Sequence, residues 1–257
     1  MRCAATPHAK DGKQLVTHSS QSDAETSSTT SFATSFVRAD AQRAFDTLHR
    51  GGVAIVPMDV GYTATGGSAA ALKLIFDTKG RAPSKLNAML GHDAIARELY
   101  TFSPRGWEAY DIITQGYGLP LGAVGPCRID HPLLAAMNPE ALAASTLDGT
   151  LCMLVNAGPF HEAICSLSLE HLQPLFGSSA NLSLTGTKFR VQDIEPELLA
   201  IADVVIDHGL RKYHLYGASS TLLDLDTLTV LRHGSCFELI ADIVQRHFGV
   251  ELSPAIG

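Results

Sequence analysis

Several signatures of common enzyme classes are missing from this sequence of 257 residues. It contains no GxxxxGK[ST] phosphate loop, no GxGxxG turn, no HExxH pair and no GxSxG elbow. Those absences argue against P-loop ATPases, dinucleotide-binding Rossmann enzymes, zincin proteases and α/β-hydrolases. The eleven histidines lack the paired spacing that is typical of zinc ligands, so we predict no metal site.

Long apolar runs are absent as well. No stretch approaches the roughly 20 residues of a membrane-spanning helix, and the N-terminus lacks the apolar centre of a secretory signal. The five cysteines form no CxxC pair and are odd in number, which indicates reduced thiols. We therefore expect a cytoplasmic protein with no membrane partner. A transit peptide in the Ser/Thr-rich N-terminus remains an alternative, against which its acidic residues argue.

Positive charge is also scarce. The chain has 19 Lys and Arg against 26 Asp and Glu, which gives a formal net charge of -7. This balance argues against a broadly basic surface that wraps nucleic acid. A local basic cleft can still coexist with an acidic exterior, so any nucleotide site must be local.

The distribution of apolar residues predicts one large domain. Residues 1–34 are rich in Ser and Thr and cannot bury enough surface to offset their ordering entropy, so we predict a disordered tail. Residues 35–250 form the predicted domain, and residues 251–257 a short second tail. The composition, 46% hydrophobic, is sufficient for a full-sized core.

Apolar patterning within the domain alternates between strands and helices. Residues 53–56 and 151–155 are predicted as buried strands, the first of them ended by Pro57, and residues 204–206 as a further strand. Ser68 is predicted to cap a helix whose apolar face recurs at helical spacing. The pattern favours an α/β or α+β fold in a single domain, with a mixed sheet and flanking helices.

Two cations follow that helix. Lys79 and Arg81 stand one residue apart, and Gly80 between them allows a sharp turn. Lysine binds phosphate as a point charge and arginine as a bidentate fork, so the pair is a candidate phosphate site. A solvated surface pair at a helix end is the alternative, and composition alone favours it.

A second candidate is the polar turn at residues 177–183. Its side chains include Ser179 and Asn181, and it follows a buried apolar run. Such a turn can present backbone N–H groups and side-chain donors to an anion. An ordinary hydroxyl-rich turn is the alternative.

The order of these segments resembles the YrdC-like family, whose best-known members are threonylcarbamoyl-AMP synthases. The family's Lys-x-Arg and later Ser-x-Asn stand here as Lys79, Arg81, Ser179 and Asn181. Residues 220–224 are similar to its Ser-Thr-Val-Val-Asp strand, and residues 231–234 to its closing Arg-x-Gly element. The resemblance runs from about residue 41 to residue 234.

The resemblance implies a twisted open sheet with one large, concave, locally positive face that holds ATP with Mg²⁺. Family members join threonine, bicarbonate and ATP into threonylcarbamoyl-AMP and release pyrophosphate, which serves tRNA modification. The resemblance further implies that the partners are tRNA or other proteins that act in tRNA modification. By the same resemblance, Lys79 and Arg81 are the catalytic residues, and the nucleotide cradle comprises Ser179, Asn181, Ser220 and Arg232.

The amino-acid pocket departs from the family pattern. Where the family reads Pro-Thr-Glu-Thr-x-Tyr, this chain places Pro57, Met58, Asp59 and Tyr62 at the corresponding positions. Met58 removes a hydroxyl where the amino-acid substrate is expected to bind, and a polar substrate loses affinity when its donor is removed. An amino acid other than threonine is therefore a candidate substrate.

Two further positions depart from the family. Leu154 stands where the family has an Arg and Gly158 where it has a His, while its Pro-Gly-Pro-x-Thr segment is reduced to residues 119–122. These changes indicate a divergent member. A non-catalytic module that binds nucleotide or double-stranded RNA is the alternative function, and a protein-interaction role for the Ser/Thr-rich tail is a third.

Overall fold

The computed structural model describes residues 22–80, 82, 86–135 and 137–253. The chain divides into two compact units, residues 1–35 and residues 36–257. Helix α1 begins at Ser22, so residues 22–34 are helical where the sequence predicted a disordered tail. Ser and Thr disfavour a helix by less than about 1 kcal/mol per residue, so a composition rich in them does not prevent one. The rest of the predicted tail lies outside the described residues.

The larger unit contains a ten-stranded mixed sheet with the order β10-β9-β4-β6-β3-β7-β2-β1-β8, in which β5 pairs with β6 off this path. The mixed α/β fold predicted from the sequence is thus confirmed. The strands are β1 (Val53–Met58), β2 (Gly61–Gly66), β3 (Ala88–Leu90), β4 (Leu121–Pro126), β5 (Thr146–Leu147), β6 (Thr150–Val155), β7 (Leu175–Ser179), β8 (Val204–Val205), β9 (Leu222–Asp224) and β10 (Thr229–Arg232).

Helices flank this sheet. Among the described residues, none of them is long and apolar enough to cross a membrane. They are α1 (Ser22–His49), α2 (Ala69–Thr78), α3 (Asp93–Leu99), α4 (Pro104–Asp111) with a π-helical extension (Ile112–Gly116), α5 (Pro132–Ala135), α6 (Pro139–Ala143), α7 (Pro159–Glu170), α8 (Pro196–Ala200) and α9 (Phe237–Phe248).

Local sequence explains how several elements begin. The predicted cap of α2 is confirmed, because Ser68 Oγ accepts a hydrogen bond from the Ala71 N–H at 3.1 Å. Strand β1, in contrast, does not end at Pro57 as the sequence predicted but continues to Met58. Strand β8 pairs only with Ala54 and Ile55, so the missing N–H of Pro57 breaks no ladder bond on that side.

The two faces of the sheet have different surroundings. In β6, Leu151, Met153 and Val155 belong to the main hydrophobic core. The alternate residues of the same strand, Cys152 and Leu154, line an open cavity, although Leu154 also contacts the core. This separation follows from the two-residue period of a strand, which sends neighbouring side chains to opposite faces. The open face is therefore where a ligand can reach the sheet.

Candidate functional site

A cavity of about 510 Å³ lies on the open face of the sheet. Its wall draws on strands β2 to β7, β9 and β10, so it spans most of the sheet. Cavities of this size hold ligands as large as nucleotides. The lining residues are Thr63, Leu86, Ala88, Leu90, Gly122, Val124, Leu147, Thr150, Cys152, Leu154, Gly177, Ser178, Ser179, Ser219, Ser220, Leu222, Leu231 and Arg232.

The middle of the cavity is apolar. Leu154 of β6 stands between Leu90 of β3 and Gly122 of β4 in the register of the sheet. Cys152 stands opposite Val124 in the next row. We call the five residues Leu90, Leu154, Gly122, Cys152 and Val124 the apolar floor. Their side chains can pack against a ligand but supply no charge to it.

Glycine at two positions keeps the strands of the site close together. A Cβ at position 122 would lie 2.1 Å from Leu222 Cδ2, and a Cβ at position 177 would lie 2.4 Å from the Ala64 carbonyl oxygen. Both distances are far shorter than any carbon contact allows. Gly177 is therefore required by the packing of the sheet, because the backbone of β2 cannot move away, whereas a side chain at position 122 would displace the Leu222 side chain.

One end of the cavity is polar and lies at the end of β7. Ser178, Ser179 and Thr63 line it. Lys79 follows α2, is only 4% exposed, and donates a hydrogen bond from Nζ to the Ser179 carbonyl oxygen. We call this group the Lys79 end. Here the structure brings together two of the predicted residues, which stand 100 positions apart in the sequence.

Asn181 supports the Lys79 end without lining the cavity. Its Oδ1 accepts a hydrogen bond from Ser179 Oγ at 2.5 Å, and its Nδ2 donates to the Leu182 carbonyl oxygen. These bonds hold the Ser179 hydroxyl in one orientation. Arg81, the second predicted catalytic residue, lies outside the described residues.

The opposite end of the cavity is also polar and contains Ser219, Ser220 and Arg232. The Arg232 guanidinium donates from Nη2 to the Ser220 carbonyl oxygen at 2.8 Å, and from Nε to the same oxygen at 3.3 Å. Desolvation by the surrounding protein lowers the pKa of Arg232, but a guanidinium stays charged at neutral pH. We call this group the Arg232 end. The Arg232 end contains two further predicted residues, Ser220 and Arg232, in direct contact.

The structure does not bring the four predicted amino-acid pocket residues to the cavity. Thr63 faces the cavity, so its neighbour Tyr62 points the other way. Met58 is fully buried in the hydrophobic core, and Pro57 is buried beside it in β1. Asp59 lies in the turn between β1 and β2. The family's threonine is thus replaced by Met58 at a core position. This replacement changes core packing and removes no hydroxyl from the cavity wall.

Asp59 and Tyr62 belong to a separate polar cluster. Arg211 joins it by donating from Nε to the Met58 carbonyl oxygen at 3.0 Å and from Nη2 to Asp59 Oδ1 at 3.4 Å. Burial raises the pKa of Asp59, although Arg211 and Lys212 counteract it. Burial and the hydrogen bond to Asp207 raise the pKa of Tyr62 to about 12. This cluster anchors the segment that leads from β8 to Ser219.

Positions 154 and 158, at which this chain departs from the family pattern, lie in different parts of the structure. Leu154 lines the cavity, so the structure places it where a cation could have reached a ligand. Gly158 has a φ of 104°, and a Cβ there would lie 2.5 Å from Asp59 Oδ1. A side chain at position 158 would thus be strained and would collide with the polar cluster.

Sequence reasoning missed several residues of the site. Thr63 and Ser219 line the cavity but belong to no motif that we recognised, and Ser178, although part of the predicted polar turn, was not singled out as a site residue. Ser178 and Ser219 are immediate neighbours of predicted residues, and their hydroxyls were a usable signal. Thr63 could have been found only from the register between β2 and β7, where it pairs with Ser179.

The turn beside Lys79 depends on Glu195. Ser183 N–H donates to the Lys79 carbonyl oxygen at 3.0 Å, and Thr185 Oγ1 donates to Glu195 at 2.6 Å. Desolvation raises the pKa of Glu195, but hydrogen bonds from Thr185 and Lys188 outweigh it and lower that pKa to about 2. The ionised carboxylate therefore stabilises the folded turn.

Replacing Glu195 with glutamine should destabilise the protein in a pH-dependent way. A carboxyl group whose pKa is lowered by folding stabilises the folded state when the pH is above its pKa in the unfolded state, near 4.5. That stabilisation is lost as the pH falls towards 2. The difference in unfolding free energy between wild type and Glu195→Gln should be largest above pH 5 and vanish near pH 2. Urea unfolding at several pH values measures it. Exposed Glu197→Gln serves as the control, and an equal effect there would contradict the prediction.

Comparison with known proteins identifies the family. The Sua5/YciO/YrdC family model, described as "Telomere recombination", matches residues 46–234. The chain belongs to the Sua5/YciO/YrdC family. The resemblance found in the sequence motifs is thus confirmed, over nearly the same span. A search of curated protein sequences gave no match.

Solved structures share the fold of this family member. The hypothetical protein smu.1377c from Streptococcus mutans UA159 has a TM-score of 0.69 at 19% identity and covers 83% of this chain and 93% of its own. P. abyssi Sua5, solved with L-threonine, has a TM-score of 0.66 at 19% identity, over 85% of this chain and 60% of that protein. E. coli YciO has a TM-score of 0.55 at 19% identity, covering 77% and 90%.

At these identities the structural likeness establishes the fold alone. The chain spans 60% of the length of P. abyssi Sua5, so part of that protein has no counterpart here. The L-threonine belongs to the Sua5 structure. This chain has a cavity on the open face of its sheet. The residues that line this cavity determine which ligand it can bind.

Proposed function

We propose that this protein is an ATP-dependent synthase that forms a carbamoyl-adenylate from bicarbonate and an amino acid, threonine or another, and releases pyrophosphate. One observation carries the proposal: Ser179, Ser220 and Arg232 line a single cavity, with Lys79 bonded at its edge, in a member of the Sua5/YciO/YrdC family. Four residues from distant parts of the sequence thereby supply donors and positive charge to one ligand.

The proposed chemistry needs positioning and charge neutralisation more than covalent help from the protein. The amino group and bicarbonate form a carbamate with loss of water, and a carbamate oxygen attacks the α-phosphorus of ATP. The bond to the β-phosphate breaks, and pyrophosphate leaves. Negative charge develops on the α-phosphate and on the departing pyrophosphate, and preorganised lysine, arginine and hydroxyl donors at the two polar ends would each stabilise a part of it.

Magnesium would accompany the substrate. No cluster of three or more His, Cys, Asp or Glu side chains able to hold a metal occurs in the part of the chain that the structure describes. Mg²⁺ would therefore enter bound to the phosphates of ATP and neutralise their charge. The protein's own contribution is the pair of polar ends, with Lys79 at one and Arg232 at the other.

Replacing Arg232 with glutamine should lower pyrophosphate release by about tenfold or more, because a hydrogen bond to a charged group contributes about 1.5–3 kcal/mol. The assay supplies ATP, Mg²⁺ and bicarbonate with a panel of amino acids and measures pyrophosphate. Arg246→Gln is the matched control, since Arg246 is exposed on α9 and pairs with Asp242. Equal rates in both variants would count against the Arg232 end, and no release with any amino acid would overturn the synthase.

The alternative is a binding module without catalysis. The apolar floor favours it, because Leu154 supplies no charge where the reacting phosphates would lie. The net charge of -7 disfavours extensive binding of double-stranded RNA, so nucleotide is the better ligand for such a module. Calorimetric ATP binding without pyrophosphate release would support it. Partners in tRNA modification and a cytoplasmic location stay predictions.

A further inference from the structure

The Arg232 end of the cavity is built on a loop. Ser219 and Ser220 precede strand β9, and Ser220 forms an isolated bridge with Ser235. The Arg232 guanidinium donates two hydrogen bonds to the Ser220 carbonyl oxygen, so its position depends on the backbone of this loop. A loop keeps one geometry only where other parts of the protein hold its backbone. The geometry of the Arg232 end therefore depends on what holds residues 218–221.

Ser235 holds this loop through three hydrogen bonds. Its N–H donates to the Ser219 carbonyl oxygen at 2.7 Å, and its hydroxyl donates to the Ala218 carbonyl oxygen at 2.5 Å. Its own carbonyl oxygen accepts a hydrogen bond from Thr221 Oγ1 at 2.9 Å. We call these three bonds the Ser235 clasp. They hold the backbone on both sides of Ser220, so the Ser220 carbonyl oxygen has little freedom to shift.

The residues on either side of Ser235 restrict it as well. A Cβ at position 234 would lie 2.3 Å from the Ser219 carbonyl oxygen, so only glycine allows this close approach. Cys236 has a φ of 63°, a conformation that residues other than glycine rarely adopt. Strained backbone of this kind persists only where the surrounding structure holds it, and it is concentrated at functional sites. Ser235 is thus held in one position between a close contact and a strained residue.

We propose that Ser235 is a positioning residue for the reaction at this cavity. It is fully buried and is not part of the cavity wall, so it acts on a ligand only through the loop. The clasp keeps Ser220 and Arg232 in the orientation in which their donors face the developing negative charge. This inference rests on the proposed function, because it requires that the Arg232 end take part in pyrophosphate release.

Replacing Ser235 with alanine removes the bond to the Ala218 carbonyl oxygen and leaves the other two bonds of the clasp. We expect single-turnover pyrophosphate release to fall about tenfold, because a misplacement of about 1 Å can cost about 100-fold and part of the clasp remains. In an Arg232→Gln background, Ser235→Ala should lower release by less than about twofold further, since the group that it positions is then absent. A general loss of stability would instead lower release by the same factor in both backgrounds.

Thr221→Val tests the clasp from its other side. Thr221 is fully buried, and valine keeps a similar shape while removing the hydroxyl that donates to the Ser235 carbonyl oxygen. We expect lower release again, and little further loss when Arg232→Gln is already present. Ser168→Ala is the matched control, because Ser168 on α7 is equally buried and its hydroxyl donates to the Gln173 carbonyl oxygen at 2.6 Å. That variant should keep normal release.

Thermal unfolding of each variant shows whether it is folded. Normal release by folded Ser235→Ala and Thr221→Val proteins, or a loss that multiplies with that of Arg232→Gln, overturns this inference and leaves the synthase intact. No release from the wild type with any amino acid overturns the synthase and this inference together. If Ser235→Ala does not fold, the comparison of Thr221→Val with and without Arg232→Gln decides by the same criterion.

Discussion

Replacing Lys79 with alanine should lower amino-acid-dependent pyrophosphate release by about 100-fold or more. Lys79 is buried at 4% exposure, and its Nζ meets the carbonyl oxygen of Ser179 at the cavity edge. A preorganised donor at a developing charge contributes on the order of 10²–10³ in rate, because it needs no reorganisation during the reaction. Single-turnover pyrophosphate release at saturating ATP measures the chemical step directly.

The matched control for Lys79 lies on the preceding helix. Lys73 is exposed on α2 and pairs with Asp77 at 2.8 Å, so Lys73→Ala removes the same side chain away from the cavity. We expect unchanged release from that variant. Lys79→Ala also leaves the Ser179 carbonyl oxygen without this donor, so thermal unfolding must show that the variant is folded. A folded Lys79→Ala protein with normal release would refute the catalytic role.

Replacing Gly67 with alanine should destabilise the protein by about 3 kcal/mol or more. A Cβ at this position would lie 1.8 Å from the Leu48 carbonyl oxygen. Backbone atoms at the end of α1 cannot move away as a flexible side chain can, and overpacking of this kind costs about 1–3 kcal/mol or more. Gly67 N–H also donates to the Gly52 carbonyl oxygen, which holds the two segments together. Urea unfolding measures the loss.

Gly116 provides the comparison for Gly67. It ends the π-helical segment, where an added Cβ would meet only the Asp111 carbonyl oxygen at 3.8 Å, an ordinary contact. Gly116→Ala should therefore change the unfolding free energy by less than about 1 kcal/mol, in either direction. A similar loss of stability in both variants would show that the close approach of Gly67 to Leu48 is not the cause.

Local chemistry made several elements of this fold predictable. Ser68 caps α2 as predicted, and the apolar runs at 53–56 and 151–155 form β1 and β6. The candidate phosphate residues also had local signals, because Lys79 follows a helix and Ser179 ends a strand. Helix capping and strand patterning depend on neighbours within a few residues, which a sequence displays directly.

Other features depended on contacts that a sequence does not display. Met58 occupies a position that the motif assigned to a substrate pocket, yet it is fully buried in the core. Arg211 carried no motif, although it joins Asp59 across 152 positions. The apolar floor was equally hidden, since Leu154 was interpreted as one lost cation. In the structure, Leu154 lies between Leu90 and Gly122, so it is part of a continuous apolar surface.

The sequence by itself determined the family, the alternation of strands and helices, and the residue types able to bind a phosphate. Only the tertiary structure decided which side chains share a cavity. Ser179 and Arg232 lie at its opposite ends because β7 and β10 occupy separate places in the strand order. That order and the register of each pair set which face every side chain occupies, and a shift of one residue would reverse it. Such information resides in pairings between distant segments, not in any one of them.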